Sequence, residues 1–519
     1  MSARTRAACA ARARTLRLLT AATPKSAARD RRRPALPRVA IIGAGFGGIG
    51  LAIALKRAGH HDFVVLERAA DVGGVWRDNT YPGAACDIPS HLYSYSFEPR
   101  RDWSRRYASQ AEILRYLRGC VEKYGLRAHL RLDTEVESAA FDETDLRWRL
   151  RTGTGEIVEA DVLVPACGQL STPRVPPIPG ADRFTGRAFH SARWDHDHDL
   201  TGRRVAVIGT GASAIQIVPA IAPLTAHLTV FQRSAPYVVP RWDRVYPPPS
   251  RRARRLPLVK QKAARLGWWL FNESLVSGLT RRWPTSRLTL RGSEVQLRTQ
   301  LQDPELRAKL TPRGEVGCKR VAVSSAYYPA FNRPDVALVT EPITEITGTG
   351  IRTADGAEHP VDTIVYATGF AATDFLAPMR VLGRGGRELS EVWRGGARAH
   401  LGMTVPDFPN MFLVYGPNTN IGAGSALYMI ESQIRYITAA VSELARGRRD
   451  FLEVRRDVAD AFDREMQRRL RRTVWSSCTS WYRHDSGRVT NNWPGQTAEY
   501  RRRTSRPTWT DFRPAPRRR

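Results

Sequence analysis

The sequence predicts an α/β fold with two Rossmann-like dinucleotide-binding domains and a helical insertion. The segment Arg38-Val39-Ala40-Ile41-Ile42 runs as a short apolar strand into Gly43-Ala44-Gly45-Phe46-Gly47-Gly48 and an amphipathic stretch ending at Ala58. The segment Arg204 to Ile208 runs in the same way into Gly209-Thr210-Gly211-Ala212-Ser213-Ala214. Between residues 237 and 322 the composition changes, with Pro247-Pro248-Pro249, Arg-rich runs and an apolar stretch from Leu266 to Phe271. This third observation marks the insertion.

With 519 residues, 42% of them hydrophobic, the chain exceeds what one core holds, since cores stop growing near roughly 250 to 300 residues. No run of about 18 apolar residues suggests a membrane span. The stretch from Ile215 to Val230 is cut by Pro219 and Pro223. Six scattered cysteines without a CxxC pair suggest neither a disulfide framework nor a zinc ribbon, and a reducing cytoplasm fits. They also speak against a pyridine nucleotide-disulfide oxidoreductase, which needs two closely spaced redox thiols.

A net charge of +31 raises the question of nucleic acid, but residues 1–38 hold eleven Lys or Arg against one Asp and residues 501–519 eight Arg against one Asp. Both ends read as solvated tails, and no specific nucleic acid is expected. Residues 1–37 read as a disordered basic extension, with a superficial likeness to an organellar transit peptide.

In the first unit the glycines permit a tight turn and close approach of a pyrophosphate to the helix N-terminus. Gly43, Gly45 and Gly48 are the candidates. The next strand, Phe63 to Leu66, ends in Glu67, nineteen residues after Gly48, where a carboxylate can accept hydrogen bonds from ribose hydroxyls. In the second unit Gly209, Gly211 and Ser213 occupy the turn. The position at the same offset is Arg233, followed by Ser234. A cation there suits the 2′-phosphate of NADP. An acidic first site for FAD and a basic second site for NADPH describe an enzyme passing hydride from NADPH to a flavin; many classes share that plan.

Between the units lies Phe184-Thr185-Gly186-Arg187-Ala188-Phe189-His190-Ser191-Ala192-Arg193-Trp194-Asp195, an FxGxxxHxxxW pattern followed by Asp. It resembles the fingerprint of type I Baeyer-Villiger monooxygenases. His190, Trp194 and the acids Asp195, Asp197 and Asp199 could suggest a metal, but no second ligand set accompanies them and none is expected. The resemblance implies a structural or conformational role for Phe184, Gly186, His190 and Trp194. It extends to Gly73-Gly74-Val75-Trp76, Tyr81-Pro82-Gly83 and Cys86-Asp87, where Gly74 lets the backbone near the flavin and Trp76 offers a flat wall. Ser109 with Glu112 reads as a capping box for the following helix.

Further on, Cys318-Lys319-Arg320 followed by Tyr327-Tyr328 resembles the family's KR...YY segment, which implies Arg320 as the active-site cation, Asp87 as its partner and Lys319 in nucleotide binding. Pro165-Ala166-Cys167-Gly168 and Tyr366-Ala367-Thr368-Gly369-Phe370 resemble the ATG turns where the chain crosses between domains. Trp493, in Trp493-Pro494-Gly495, is a candidate cofactor contact or a buried aromatic.

The resemblance, spanning roughly Arg38 to Tyr500, implies an FAD domain from 38–174 and 373–519, an NADP domain from 175–236 and 323–372, and the helical insertion at 237–322. The implied activity is oxygen insertion beside a ketone carbonyl by way of a C4a-peroxyflavin, with FAD, NADPH and O2, giving an ester or lactone. The alternatives are a flavin-containing or N-hydroxylating monooxygenase acting on nitrogen or sulfur, an uncoupled NADPH oxidase, and a nucleic-acid binder using the basic ends.

Overall fold

The computed structural model describes residues 36–246, 258–281, 285–477 and 480–514; the expected basic extension lies outside them except for its last two residues. The first sheet contains β1 (Val39–Ile42), followed by α1 (Phe46–Arg57), then β2 (Phe63–Leu66), β3 (Leu130–Arg131) and β4 (Val162–Pro165). Its order is β3-β2-β1-β4, all parallel. Every residue of β1, β2 and β4 is buried, because a parallel sheet is covered on both faces; hence the unbroken apolar runs. Val39, Ile41, Phe63 and Val65 pack with α1 and the helix Ala426–Ala445, while Ala40, Ile42, Val64 and Leu66 pack with a second layer of strands, Val136–Asp142, Arg147–Thr152, Ile157–Ala160 and Arg380–Leu382.

The second parallel sheet takes β5 (Arg187–His190), β6 (Arg204–Ile208) and, after α2 (Ala214–Ile221), β7 (His227–Phe231). The chain then leaves through β8 (Val238–Val239), passes α3 (Leu258–Arg281), α4 (Thr285–Gln300) and α5 (Pro304–Leu310), and returns through β9 (Ala322–Val323). β8 and β9 pair in parallel, Val238 opposite Ala322 and Val239 opposite Val323. Strands β10 (Val336–Val339) and β11 (Thr363–Tyr366) complete the order β10-β7-β6-β11-β5. The chain's two crossings between sheets run side by side: Pro173 bridges Phe370, and the Arg174 N–H donates to the Gly369 carbonyl at 2.9 Å.

Several local expectations change. Ser109 stands at the head of the helix Gln110–Lys123, but its side chain makes no cap, and Glu112 instead accepts from the Ser104 N–H and hydroxyl, both at 2.8 Å. In α3, Leu266, Leu270 and Phe271 are exposed, whereas Trp269 turns inward and donates to Thr497 Oγ1 at 3.1 Å. The C-terminal end is not a solvated tail as far as Pro514: Phe512 is buried, Arg503 pairs with Glu465 at 2.6 Å, and Arg513 Nε meets the fully buried Glu453 at 3.1 Å. Arg513 there neutralises a buried acid and Arg503 a half-buried one.

Among the described residues no helix is long and apolar enough to cross a membrane, and no group of His, Cys, Asp or Glu is arranged to hold a metal ion. Asp195 is instead paired with Arg187 at 2.6 Å.

Candidate active site

The two glycine turns are built alike. Gly43 has φ +101° and Gly209 φ +114°, a region that L side chains rarely adopt. A Cβ on Gly43 would stand 2.8 Å from the Ala166 carbonyl oxygen, and one on Gly209 would stand 2.5 Å from that of Ala367. Each turn therefore presses its first glycine against the residue just past β4 or β11. Those are the two positions that the sequence marks as crossing turns.

Around the first turn, a Cβ on Gly48 would overlap the Gly43 carbonyl, so Gly48 serves helix packing. Gly45 and Gly74 face one another; a Cβ on Gly74 would lie 3.2 Å from the Gly45 Cα, and one on Gly45 would meet only the Gly74 Cα, at 3.8 Å. The space a side chain would fill suits a pyrophosphate. Glu67, buried at the end of β2, accepts from the Ala44 N–H at 2.8 Å and from Arg77 at 2.9 Å. With the Ala69 N–H also donating to its Oε1 at 3.2 Å, Glu67 braces the turn itself and keeps one acceptor site, on Oε2, for a ribose hydroxyl. Trp76 is half-buried, donates to the Tyr93 hydroxyl at 3.1 Å and stands edge-on to that ring.

At the second turn Gly211 is exposed with no atom within 4 Å of a built Cβ, and Ser213 heads α2. Arg233 and Ser234 are exposed just past β7. Lys319 arrives from the loop before β9 and donates to the Ser234 hydroxyl. Burial, then the like charge of Arg233, lowers Lys319 below the usual ammonium range. Lys319 on the Ser234 hydroxyl, with the charge of Arg233 close enough to act on it, makes a basic site that suits a dianion.

Next to Lys319, Arg320 donates from Nε at 2.9 Å and from a terminal nitrogen at 2.7 Å, both to Asp87 Oδ2. The side chains are 28% and 24% exposed, so the pair opens to solvent on one side. The Asp87 carboxylate, opposed by burial, holds Arg320 above the ordinary guanidinium range. Tyr415 and Tyr482 are close enough to feel the Arg320 charge; burial pushes Tyr482 up to about 12 and raises Tyr415 also. Tyr415 sits at φ +61°. Lone tyrosines carry no pattern, so neither was legible in the sequence. Cys318 is disulfide-bonded, which the scattered cysteines had not suggested, whereas Cys86, Cys120 and Cys167 are free.

The fingerprint residues lie apart from this cluster. His190, buried at the end of β5, donates from Nε2 to the Gly369 carbonyl at 3.0 Å and accepts at Nδ1 from the Ala192 N–H at 3.1 Å. That pattern fixes a neutral ring, and burial lowers its proton affinity. It ties the edge strand to the paired crossings. A Cβ on Gly186 would overlap the Asp362 carbonyl and the Phe184 ring, and Trp194 meets Phe189 edge-on at 5.1 Å. Trp493 is fully enclosed, with its indole N–H on the Gln496 carbonyl at 3.1 Å and the guanidinium groups of Arg469 and Arg503 near its ring. It is a core residue, and a cofactor contact there finds no open face.

Residues 40–246 match a family model described as pyridine nucleotide-disulphide oxidoreductase. The disulphide chemistry in that description has no counterpart in the stretch, whose three cysteines are free. Over 485 residues, 92% of this chain and 93% of the relative, the sequence is 47% identical to a Baeyer-Villiger monooxygenase of Streptomyces coelicolor. Among solved structures, an oxidized steroid monooxygenase bound to NADP aligns with TM-score 0.80 and 35% identity, covering 90% of this chain and 97% of that one. The OTEMO complex with FAD and NADP aligns with TM-score 0.80 and 28% identity, covering 91% and 98%.

Proposed function

Because the chain belongs to the Baeyer-Villiger monooxygenases, FAD- and NADPH-dependent enzymes that insert one atom of O2 beside a carbonyl, we propose that its organic substrate is a ketone, converted beside Arg320 to an ester or lactone. The observation that carries the reading is the Arg320–Asp87 pair, a fixed cation facing an opening. Bound flavin supplies hydride acceptance and oxygen activation. In our assignment Gly43, Gly45, Gly74 and Glu67 hold the FAD diphosphate and ribose, Gly48 lets the helix close on the Gly43 turn that receives them, and Trp76 walls the flavin ring. Gly209, Gly211 and Ser213 hold the NADPH diphosphate, and Arg233, Ser234 and Lys319 its 2′-phosphate. A cytoplasmic location is proposed with this: among the described residues Cys86, Cys120 and Cys167 are free thiols, which favours it, while the disulfide at Cys318 counts against it.

Two of the Arg320 donors are engaged by Asp87, and the rest of the guanidinium fork can meet the negative charge that develops on the substrate's carbonyl oxygen. Asp87 keeps that fork pre-oriented, so little reorganisation is needed during reaction. The test is Arg320→Ala. Anaerobic stopped-flow should show flavin reduction by NADPH near the parental rate, while ester formation from a panel of cyclic, linear and aryl ketones falls about 10²- to 10³-fold. Asp87→Ala should be milder, and the double variant little worse than Arg320→Ala. Ester formation by Arg320→Ala at the parental rate would remove the assignment.

A further inference from the structure

We propose that Gln216 is a positioning residue that couples nucleotide occupancy at α2 to the Asp87–Arg320 pair. The inference rests on the reading of the second glycine turn as the NADP site. Gln216 lies three residues past Ser213, one turn into α2. Its amide oxygen accepts from the Tyr81 hydroxyl at 3.2 Å and the Ala85 N–H at 3.3 Å, and its amide nitrogen donates to the Ala85 carbonyl at 3.0 Å. One side chain of the second sheet's helix thus satisfies both backbone groups of a residue packed with the first.

The opposite edge of this loop is tied down. Ala85 forms an antiparallel bridge with Ser109, in which the Cys86 N–H donates to Ala108 at 3.0 Å and the Gln110 N–H to Ala84 at 2.9 Å. In such a bridge the flanking residues supply the hydrogen bonds, so the N–H and C=O of Ala85 point the other way, toward α2. Without Gln216 both would need new partners. Contact at the seam is close: Gly83, at φ +82°, would place a Cβ 2.7 Å from the Gln216 carbonyl oxygen. A displacement of α2 is therefore passed to the loop without slack. Asp87 stands two residues beyond Ala85, and Arg320 reaches it from the loop that enters β9. The N-terminus of the same helix bears the open Gly211 turn.

A plain seam contact would change stability alone. A coupling element also changes what NADP+ does at a distance, which hydrogen exchange of the flavin-loaded protein reads. In the parent, NADP+ should slow exchange in peptides spanning residues 81–90 by roughly fivefold, beside protection of residues 204–221. In Gln216→Met, residues 204–221 should keep their protection while residues 81–90 lose theirs. Peroxide release in air without ketone should rise roughly fivefold, with anaerobic flavin reduction changed less than about twofold. Tyr81→Phe, which removes one of the three contacts, should give an intermediate response and serves if Gln216→Met fails to fold. Equal protection of residues 81–90 in parent and variants would overturn the coupling role alone. Absence of NADP+ protection at residues 204–221 in the parent would overturn the nucleotide assignment, and this proposal with it.

Discussion

At the scale of single residues, each candidate side chain or glycine makes a distinct demand, and the demands predict different failures. Gly48→Ala should give insoluble or unfolded protein, because its Cβ would overlap the Gly43 carbonyl. Gly45→Val should fold yet purify without FAD, since a Cβ there meets only the Gly74 Cα and the branches enter the pyrophosphate space. Solubility and flavin absorbance separate the two, and a Gly45→Val protein with full flavin would disprove the cradle. Arg233→Ala should cut the preference for NADPH over NADH by roughly 10- to 100-fold, as a charge-assisted contact to phosphate contributes about 1.5 to 3 kcal/mol. The ratio of kcat/KM for the two nucleotides measures it. Residues bearing a motif, such as Arg320 and Asp87, could be named from sequence although 233 positions separate them. Gln216, Arg77, Tyr415 and Tyr482 could not, because their roles arise from folded proximity that no local spacing encodes.

Elements were legible where burial imposes a pattern. Strands β1, β2, β6 and β7 announce themselves as apolar runs and the glycine turns fix where α1 and α2 begin, whereas the edge strands β3 (Leu130-Arg131) and β5 (Arg187-Ala188-Phe189-His190) are only partly buried and carry no such run. The β8–β9 pair was not legible, being two residues on each side joined across a long excursion, and the Ser109–Glu112 capping pattern misled because Ser104 competes for the carboxylate. The edge strand β5 depends on His190, which is held neutral. An unfolded chain would bind a proton there near the ordinary pKa of about 6.5, while the folded chain resists it. Its contribution to stability is thus present above that range and lost as pH falls through and below it. His190→Ala should unfold more easily at pH 7.5 by about 1 to 3 kcal/mol, since a buried hydrogen bond goes, and the gap to the parent should narrow by pH 5.5. Denaturant midpoints at the two pH values decide; a gap that widens in acid would contradict the neutral ring.

For the molecule as a whole, composition misjudged the C-terminus, because counting charges does not reveal that Arg503 and Arg513 face buried or half-buried acids. Ending the chain after Arg503 would strip Glu453 of Arg513 and remove the buried Phe512, lowering Tm by on the order of 5 to 10 °C. Ending it after Pro514 retains these contacts and should avoid that loss. Calorimetry of both truncations is the check. The closure of β8 on β9 has a consequence for recombining relatives. A graft of residues 240–321 would enter and leave at endpoints one strand spacing apart, about 4.8 Å, while seams such as Trp269 on Thr497 and Arg265 on the Ser94 carbonyl have to be met by the recipient. The donor segment would carry its own Lys319 and Arg320, while Asp87 stays with the recipient. At the reaction site, compatibility between two parents then turns on whether an incoming arginine lands on a resident aspartate.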